Sequence, residues 1–155
     1  MPMRRFAEFL DRFGVRYLTA RYSPGYAAQE IATSTHIPGK VLAKTVIVEL
    51  DGQTAMAVIP ATHIVDLQRL AALAGARRVQ LASEEKSQKL FPDCEVGAMP
   101  PFGNLWHVPV YVSEVLAGDE GIAFNAGAHT EVVILAFDDF KRLVEPRIAR
   151  ISERA

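Results

Sequence analysis

The order and type of the predicted elements point to an α+β domain: a mixed, strongly curved, barrel-like sheet carrying helices on its outside. Three observations carry that expectation. Two long β-rich runs flank an Asp-Gly pair at 51–52, three further strand-like runs crowd the second half of the chain, and the helical segments are fewer than the strands. With 155 residues, half of them apolar, the chain suits one core, and it reads as a single domain over 1–155.

The elements follow in order. Phe6, Phe9, Leu10 and Phe13 recur at i, i+3, i+4 and i+7, with Gly14 where a helix would stop. Residues 15–21 read as a short strand, Ser23-Pro24-Gly25 as a turn, and 27–33 as a second helix. Runs 41–50 and 53–60 form a hairpin about Asp51-Gly52, a pair that suits the positive-φ positions of a tight turn. Residues 66–74 place Leu67, Leu70 and Leu73 on one helical face, begun by an acid and followed by Gly75. A strand at 79–82 precedes a helix capped by Ser83, with Glu84 and Glu85 in its first turn and Pro92 beyond its end. From 91 to 107 the prolines and glycines predict a long irregular loop, a type of segment that often carries function. Strands at 108–113, 121–125 and 131–137 then lead to a closing helix over 138–144, ended by Pro146.

Composition excludes several classes. Seventeen Lys and Arg against eighteen Asp and Glu give a net charge of −1, which argues against a protein that grips long duplexes, DNA included. Any nucleic-acid contact should be local. The single cysteine, Cys94, cannot make an internal disulfide, and the first residues run into an amphipathic helix instead of a signal sequence, so the expected location is cytoplasmic. No apolar run approaches the roughly 18–20 residues that span a bilayer, so no membrane partner is expected. Neither G-x-G-x-x-G nor a P-loop is present, and the four histidines and one cysteine lack ligand spacing, so neither a cofactor nor a metal is expected.

Three features carry chemistry. Strand alternation puts Lys44 on one face with Leu42, Val46, Val48 and Leu50, while Val41, Ala43 and Ile47 make the other face apolar too. Its ammonium must snorkel to water, pair with an acid or bind an anionic ligand, and position alone leaves the choice open. The second feature is the loop Glu95-Val96-Gly97-Ala98-Met99-Pro100-Pro101-Phe102-Gly103. Glycine admits close approach to the main chain, successive N–H groups can cradle a developing oxyanion, and Pro100 and Pro101 would hold them rigid; an ordinary structural turn has the same composition. The third is Phe124-Asn125-Ala126-Gly127-Ala128-His129-Thr130, where His129 could orient a water, meet a ribose hydroxyl or shape a pocket, or be a plain surface histidine.

Ala43-Lys44-Thr45, then Gly97-x-x-x-Pro101-Phe102-Gly103, then Ala126-Gly127-x-His129 resemble, in that order, the YbaK/ProXp superfamily, which includes the editing domain inserted in bacterial prolyl-tRNA synthetases. The resemblance extends to Ala28-Gln29-Glu30-Ile31-Ala32, the Asp51-Gly52 hairpin, Asp66-Leu67 and Leu90-Phe91-Pro92-Asp93-Cys94-Glu95, nearly the whole chain. It implies a metal-free deacylase that hydrolyses the ester of mischarged tRNA carrying a small amino acid. In the roles it implies, Lys44 holds the terminal nucleotide or its phosphate. Gly97, Ala98, Met99, Pro100 and Pro101 position the carbonyl and the attacking water, and His129, with Asn125 and Gly127, helps set which amino acid is accepted. The family's histidine near Tyr22 and threonine near Ala27 are absent, which bears on the amino-acid pocket and not on the reaction class.

An aminoacyl ester is already reactive, so positioning and one oxyanion donor, worth about 3 kcal/mol, can replace a catalytic triad. A small apolar pocket separates substrates differing by one methylene by only about 1–3 kcal/mol, so the cognate amino acid must be excluded by size. The partner implied is the aminoacyl-tRNA acceptor end, with a synthetase as a further one. The terminal adenine could stack on Phe102 or Trp106, and Lys40, Arg77, Arg78, Lys86 and Lys89 could meet phosphates; a solvated surface interspersed with acids accounts for those basic residues equally well, and a place in the core for Trp106. Two other classes compete: a module that binds tRNA or an aminoacyl-adenosine-like ligand without hydrolysis, and a thiol hydrolase using Cys94 with His107 or His129.

Overall fold

A computed structural model describes residues 3–21 and 42–155. The turn at Ser23-Pro24-Gly25, the helix expected over 27–33, and Tyr22, Ala27, His36 and Lys40 lie outside the described residues.

Helix α1 (Arg4–Arg12) buries Phe6 and Leu10, as its spacing requires, and β1 (Tyr17–Arg21) follows it. Strands β2 (Ala43–Leu50) and β3 (Gln53–Pro60) form the expected hairpin, with Asp51 and Gly52 both at positive φ. Asp51 does more than turn the chain. Its carboxylate accepts the N–H groups of Arg77 and Arg78 at 3.0 and 2.8 Å, tying the hairpin to the segment after the next helix.

A short strand β4 (His63–Val65) leads into α2 (Leu67–Ala74). Asp66 is the N-cap of that helix, its side chain accepting from Arg69 N–H at 3.1 Å. Strand β5 (Val79–Leu81) and α3 (Glu84–Leu90) come next; Ser83 caps α3 by accepting from Lys86 N–H at 3.1 Å. The remaining elements are a 3-10 turn (Gly103–Trp106), β6 (Val110–Ser113), α4 (Glu114–Ala117), β7 (Gly121–Asn125), β8 (Glu131–Ala136), α5 (Phe137–Val144), β9 (Arg147–Ala149) and β10 (Ser152–Arg154).

The mixed α+β character is therefore borne out. Among the described residues the strands pair in three sheets, β5-β2-β3-β6-β9, β1-β8-β7 and β10-β4. The first mixes antiparallel and parallel pairs, and an isolated parallel bridge from Leu42 to Ala123 links it to the second. Three details differ from the sequence reading. The loop over 91–107 contains the 3-10 turn, since only four residues are needed to close it; α5 does not end the fold; and β4, α4, β9 and β10 are too short to display a period.

The main core sits between α1, α5 and the two larger sheets, around Phe6, Phe91, Phe102, Phe124 and Phe140. Phe102 is its hub, with ring centroids of Phe6, Phe140 and Phe124 at 4.8, 5.6 and 5.8 Å. A second cluster, Val48, Ala55, Ala57, Ile59, Leu70 and Ile151, packs α2 onto the other face of the β2-β3 hairpin. No helix among the described residues is long and apolar enough to cross a membrane.

Candidate active site

The site begins with how β2 is paired. β5 covers only Val48, Glu49 and Leu50 of β2, and Ala82 N–H donates to Ile47 O at 2.9 Å. Beyond that point the flank of β2 borders a cavity of about 300 Å³, lined by Lys44, Thr45, Val46 and Ile47 on one side and by Val96, Gly97 and Met99 on another. Helix α3 contributes Glu84 and Ser87, three residues apart and so on one helical face. What holds α3 there is Glu49, a nearly buried carboxylate on β2 that takes Lys86 of α3 as an ion pair and Gln80 Nε2 of β5 at 2.7 Å.

Lys44 is half-buried and has no hydrogen-bond or ion-pair partner among the described residues. Desolvation pushes its pKa below the usual lysine value. A charged amine with its stem against apolar side chains and no ion pair among the described residues is poised for an anionic ligand.

The loop carrying Gly97 is bolted to the turn carrying His129. Glu95 N–H donates to Gly127 O at 2.8 Å, and Gly127 N–H donates to Ala98 O at 2.7 Å. His129 N–H donates to the Glu95 carboxylate at 3.0 Å, and its ring donates from Nε2 to Val96 O at 2.7 Å. Because a carbonyl only accepts, that contact fixes the proton on Nε2. Asn125 Nδ2 closes the turn from within, donating to His129 O and Glu131 O, each at 3.2 Å.

Two glycines make this junction possible. Gly97 has φ +82° and Gly127 φ +97°, and a Cβ on Gly127 would overlap Met3 Cγ. Met3 itself is anchored, its N–H donating to Ala126 O at 3.1 Å.

Of residues 97–101 only Gly97, Ala98 and Met99 carry an N–H, since the other two are prolines. Ala98 N–H is committed to Glu95 O at 3.0 Å. Gly97 and Met99, both lining the cavity, are left as donors without an acceptor among the described residues. Ala98, Pro100 and Pro101 are buried.

The structure thus brings Lys44, Gly97 and Met99 together around one space. Asn125, Gly127 and His129 sit in the adjoining turn that is hydrogen-bonded to the loop, and none of the three is among the described residues lining the cavity. Phe102 is corrected outright: at 0 % exposure, at the hub of the aromatic core, it has no face for an adenine. Trp106 is half-buried, edge-on to Phe91 at 5.0 Å with the Arg5 guanidinium 5.4 Å from its ring centroid. Lys86 is engaged by the nearly buried Glu49, whereas Lys89 meets Glu85 in an exposed pair on the surface of α3.

The Cys94 nucleophile is likewise corrected. The thiol is 4 % exposed, its Sγ lies 3.2 Å from Met3 Sδ, and burial first, then Asp93, pushes its pKa up to about 11. Thiolate would be scarce at neutral pH.

Sequence reasoning missed Glu84, Ser87 and Met3. The first two read only as the start of a helix, and no local pattern announces that the helix docks against β2. Glu49, a carboxylate between apolar strand residues, was the available signal.

Comparison with known proteins agrees with this architecture. The profile of the aminoacyl-tRNA editing domain matches residues 23–143. The multifunctional Ser/Thr-tRNA deacylase ProXp-y of Escherichia coli (strain K12) is 33% identical over 105 residues, a match spanning 66% of this chain and 62% of that protein; the protein of the same name from E. coli O157:H7 matches equally. Among solved structures, a hypothetical protein superposes with TM-score 0.87 at 20% identity, covering 97% of this chain and all of that one. A protein described as a proposed trans-editing enzyme for prolyl-tRNA synthetase gives 0.85 at 18% identity, covering 97% and 96% of the two chains. At those identities the superpositions speak for the fold alone, whereas the profile spans most of the chain. The chain belongs to the aminoacyl-tRNA editing domain family.

Proposed function

We propose that this chain hydrolyses the ester of mischarged aminoacyl-tRNA carrying a small amino acid, releasing the amino acid from the 3′-terminal adenosine. The observation that carries the reading is that Lys44, unpaired among the described residues, lines one cavity of about 300 Å³ with Gly97 and Met99, whose N–H groups have no acceptor among those residues. In this reading Lys44 neutralises the terminal nucleotide's phosphate and sets the depth to which the acceptor end enters. The ester carbonyl lies against Gly97 and Met99, whose N–H groups receive the negative charge as water adds. Each such donor is worth about 3 kcal/mol in the transition state.

The reaction asks little else of the protein. An ester with a neighbouring ribose hydroxyl needs orientation more than a strong base, and His129, its Nε2 proton committed to Val96 O, serves by holding the loop. Glu84, the acidic residue among those lining the cavity, suits the α-ammonium of the aminoacyl group. Selection against larger amino acids is by exclusion from this space, as in a second sieve.

The test is a panel of aminoacylated tRNAs incubated with the purified protein while loss of the ester is followed. The name of the E. coli relative puts seryl and threonyl esters first, with alanyl and cysteinyl esters beside them. Loss of at least one small ester, above its spontaneous rate, is expected. Binding of every tRNA with no ester lost would instead establish a module that binds without hydrolysis. Adding a synthetase to the same assay tests whether a partner stimulates turnover.

A further inference from the structure

Lys44 also borders a second space, away from the Gly97 loop, near two further basic side chains. Strands β4 and β10 pair antiparallel with His63 directly opposite Arg154, so their side chains share one face of the two-stranded sheet. Lys44 borders a space it shares with Ile64 and Val65 of β4, and it is close enough to His63 to act on the charge of its ring. His63 is held in place. Its Nδ1 meets Ser152 Oγ at 2.9 Å, and that hydroxyl donates to buried Ser113 Oγ at 3.1 Å, leaving Nε2 without a protein partner among the described residues.

Three basic side chains from three elements therefore gather, and none of the three is ion-paired among the described residues. Glu153, opposite Ile64, is on the face of β10 away from His63 and Arg154 by alternation and makes no ion pair with Lys44 among the described residues, and Asp66 is occupied as the cap of α2 and by Arg69 at 3.3 Å. Like charges collected without a counter-charge are unfavourable in the free protein and favourable once an anion bridges them. Partial burial first, then Arg154 and Lys44, hold the proton affinity of His63 below the ordinary histidine value, so the ring takes its second proton, on Nε2, as an anion arrives there.

We infer that Lys44, His63 and Arg154 form a phosphate track, along which the single-stranded end of the tRNA runs as it leaves the cavity. This rests on the deacylase reading and extends it: Lys44 takes the phosphate nearest the reacting ester, and His63 and Arg154 take the next phosphates of the acceptor end. The pairing of β4 with β10 thereby acquires a binding purpose. Phosphate contacts of this kind fix register without reading sequence.

The experiment measures binding of a fluorescent single-stranded RNA heptamer ending in CCA to the full chain, across a range of salt, for the unaltered protein, Arg154→Gln and the double variant His63→Gln/Arg154→Gln. Arg12→Gln, on the exposed side of α1, is the charge-matched control. Arg154 is exposed, so its replacement tests charge without disturbing the core. The double variant should weaken binding about fivefold and flatten the salt dependence by about one unit of slope, with Arg12→Gln unchanged. In parallel, the preference for an intact aminoacyl-tRNA over the matching aminoacyl-adenosine, which has the ester and no phosphate, should fall by a similar factor. Unchanged affinity and salt slope, or losses matched by Arg12→Gln, would overturn the track. If the unaltered protein bound the heptamer through His63 and Arg154 but cleaved no ester, the deacylase reading would fall while the phosphate contacts stood.

Discussion

At Lys44 the proposed role in holding the substrate pulls against the stability of the fold. Desolvation lowers its pKa in the folded protein below its value in the unfolded chain, so at neutral pH the charged form is held at a cost to the fold. That cost is present below the folded pKa and is relieved as pH rises through it toward the ordinary lysine value of 10.5. Lys44→Met should therefore melt at the same temperature as the parent or higher at pH 7, while kcat/KM for deacylation falls by about 10²-fold. Thermal melts and initial rates on one preparation check both halves. His129→Ala should cost less, about tenfold, because it loosens the carbonyl of Val96 and removes no group from the cavity. Cys94→Ser should leave turnover within about twofold, since the buried thiol is protonated at assay pH and lines no part of the cavity. Loss of activity there would restore the thiol mechanism.

The elements divide into those that build the site and those that only support the fold, and substitutions should separate them. Gly127→Ala requires a side chain at φ +97° and an overlap with Met3, so it should destabilise by about 1–3 kcal/mol and lower activity with it, because the Gly97 loop hangs from this turn. Circular dichroism melts and the deacylation assay should move together. Asp51→Ala, at the far end of the β2-β3 hairpin, loses the bonds to Arg77 and Arg78 N–H and should cost about 1–2 kcal/mol with kcat unchanged. This hairpin was fully legible in the sequence, because Asp51-Gly52 between two β-rich runs admits few other structures. So were α1, from its phenylalanine spacing, the cap at Ser83, and the acidic entry to α2 at Asp66, though not that Asp66 caps the helix. By contrast β9 and β10 were not, since three-residue strands carry too few side chains to show alternation.

Across the whole molecule, what the sequence could not convey is which elements meet. Lys44 and the Gly97 loop were legible as candidates, each from its local chemistry, and their order along the chain carried the family resemblance. That α3 would close the cavity depends on Glu49 reaching Lys86 and Gln80, a contact among three separate elements. Likewise the burial of Phe102 depends on α1 and α5 packing over it, so an aromatic beside a glycine-rich loop read as a stacking platform when it is the hub of the core. The His63–Arg154 pair exists only because β10 returns to β4. Salt should accordingly weaken turnover of tRNA substrates more steeply than turnover of aminoacyl-adenosine, which engages the cavity alone.

The most direct measurement is single-turnover hydrolysis of a seryl-, threonyl-, alanyl- or cysteinyl-tRNA by the parent protein and by Lys44→Ala, with both shown to be folded. Rapid ester loss with the parent and a rate at least about 10²-fold lower with the variant is the predicted result. Equal rates for the two, or none above the spontaneous reaction for every ester, would contradict the assignment of this cavity as the place where the ester is cut.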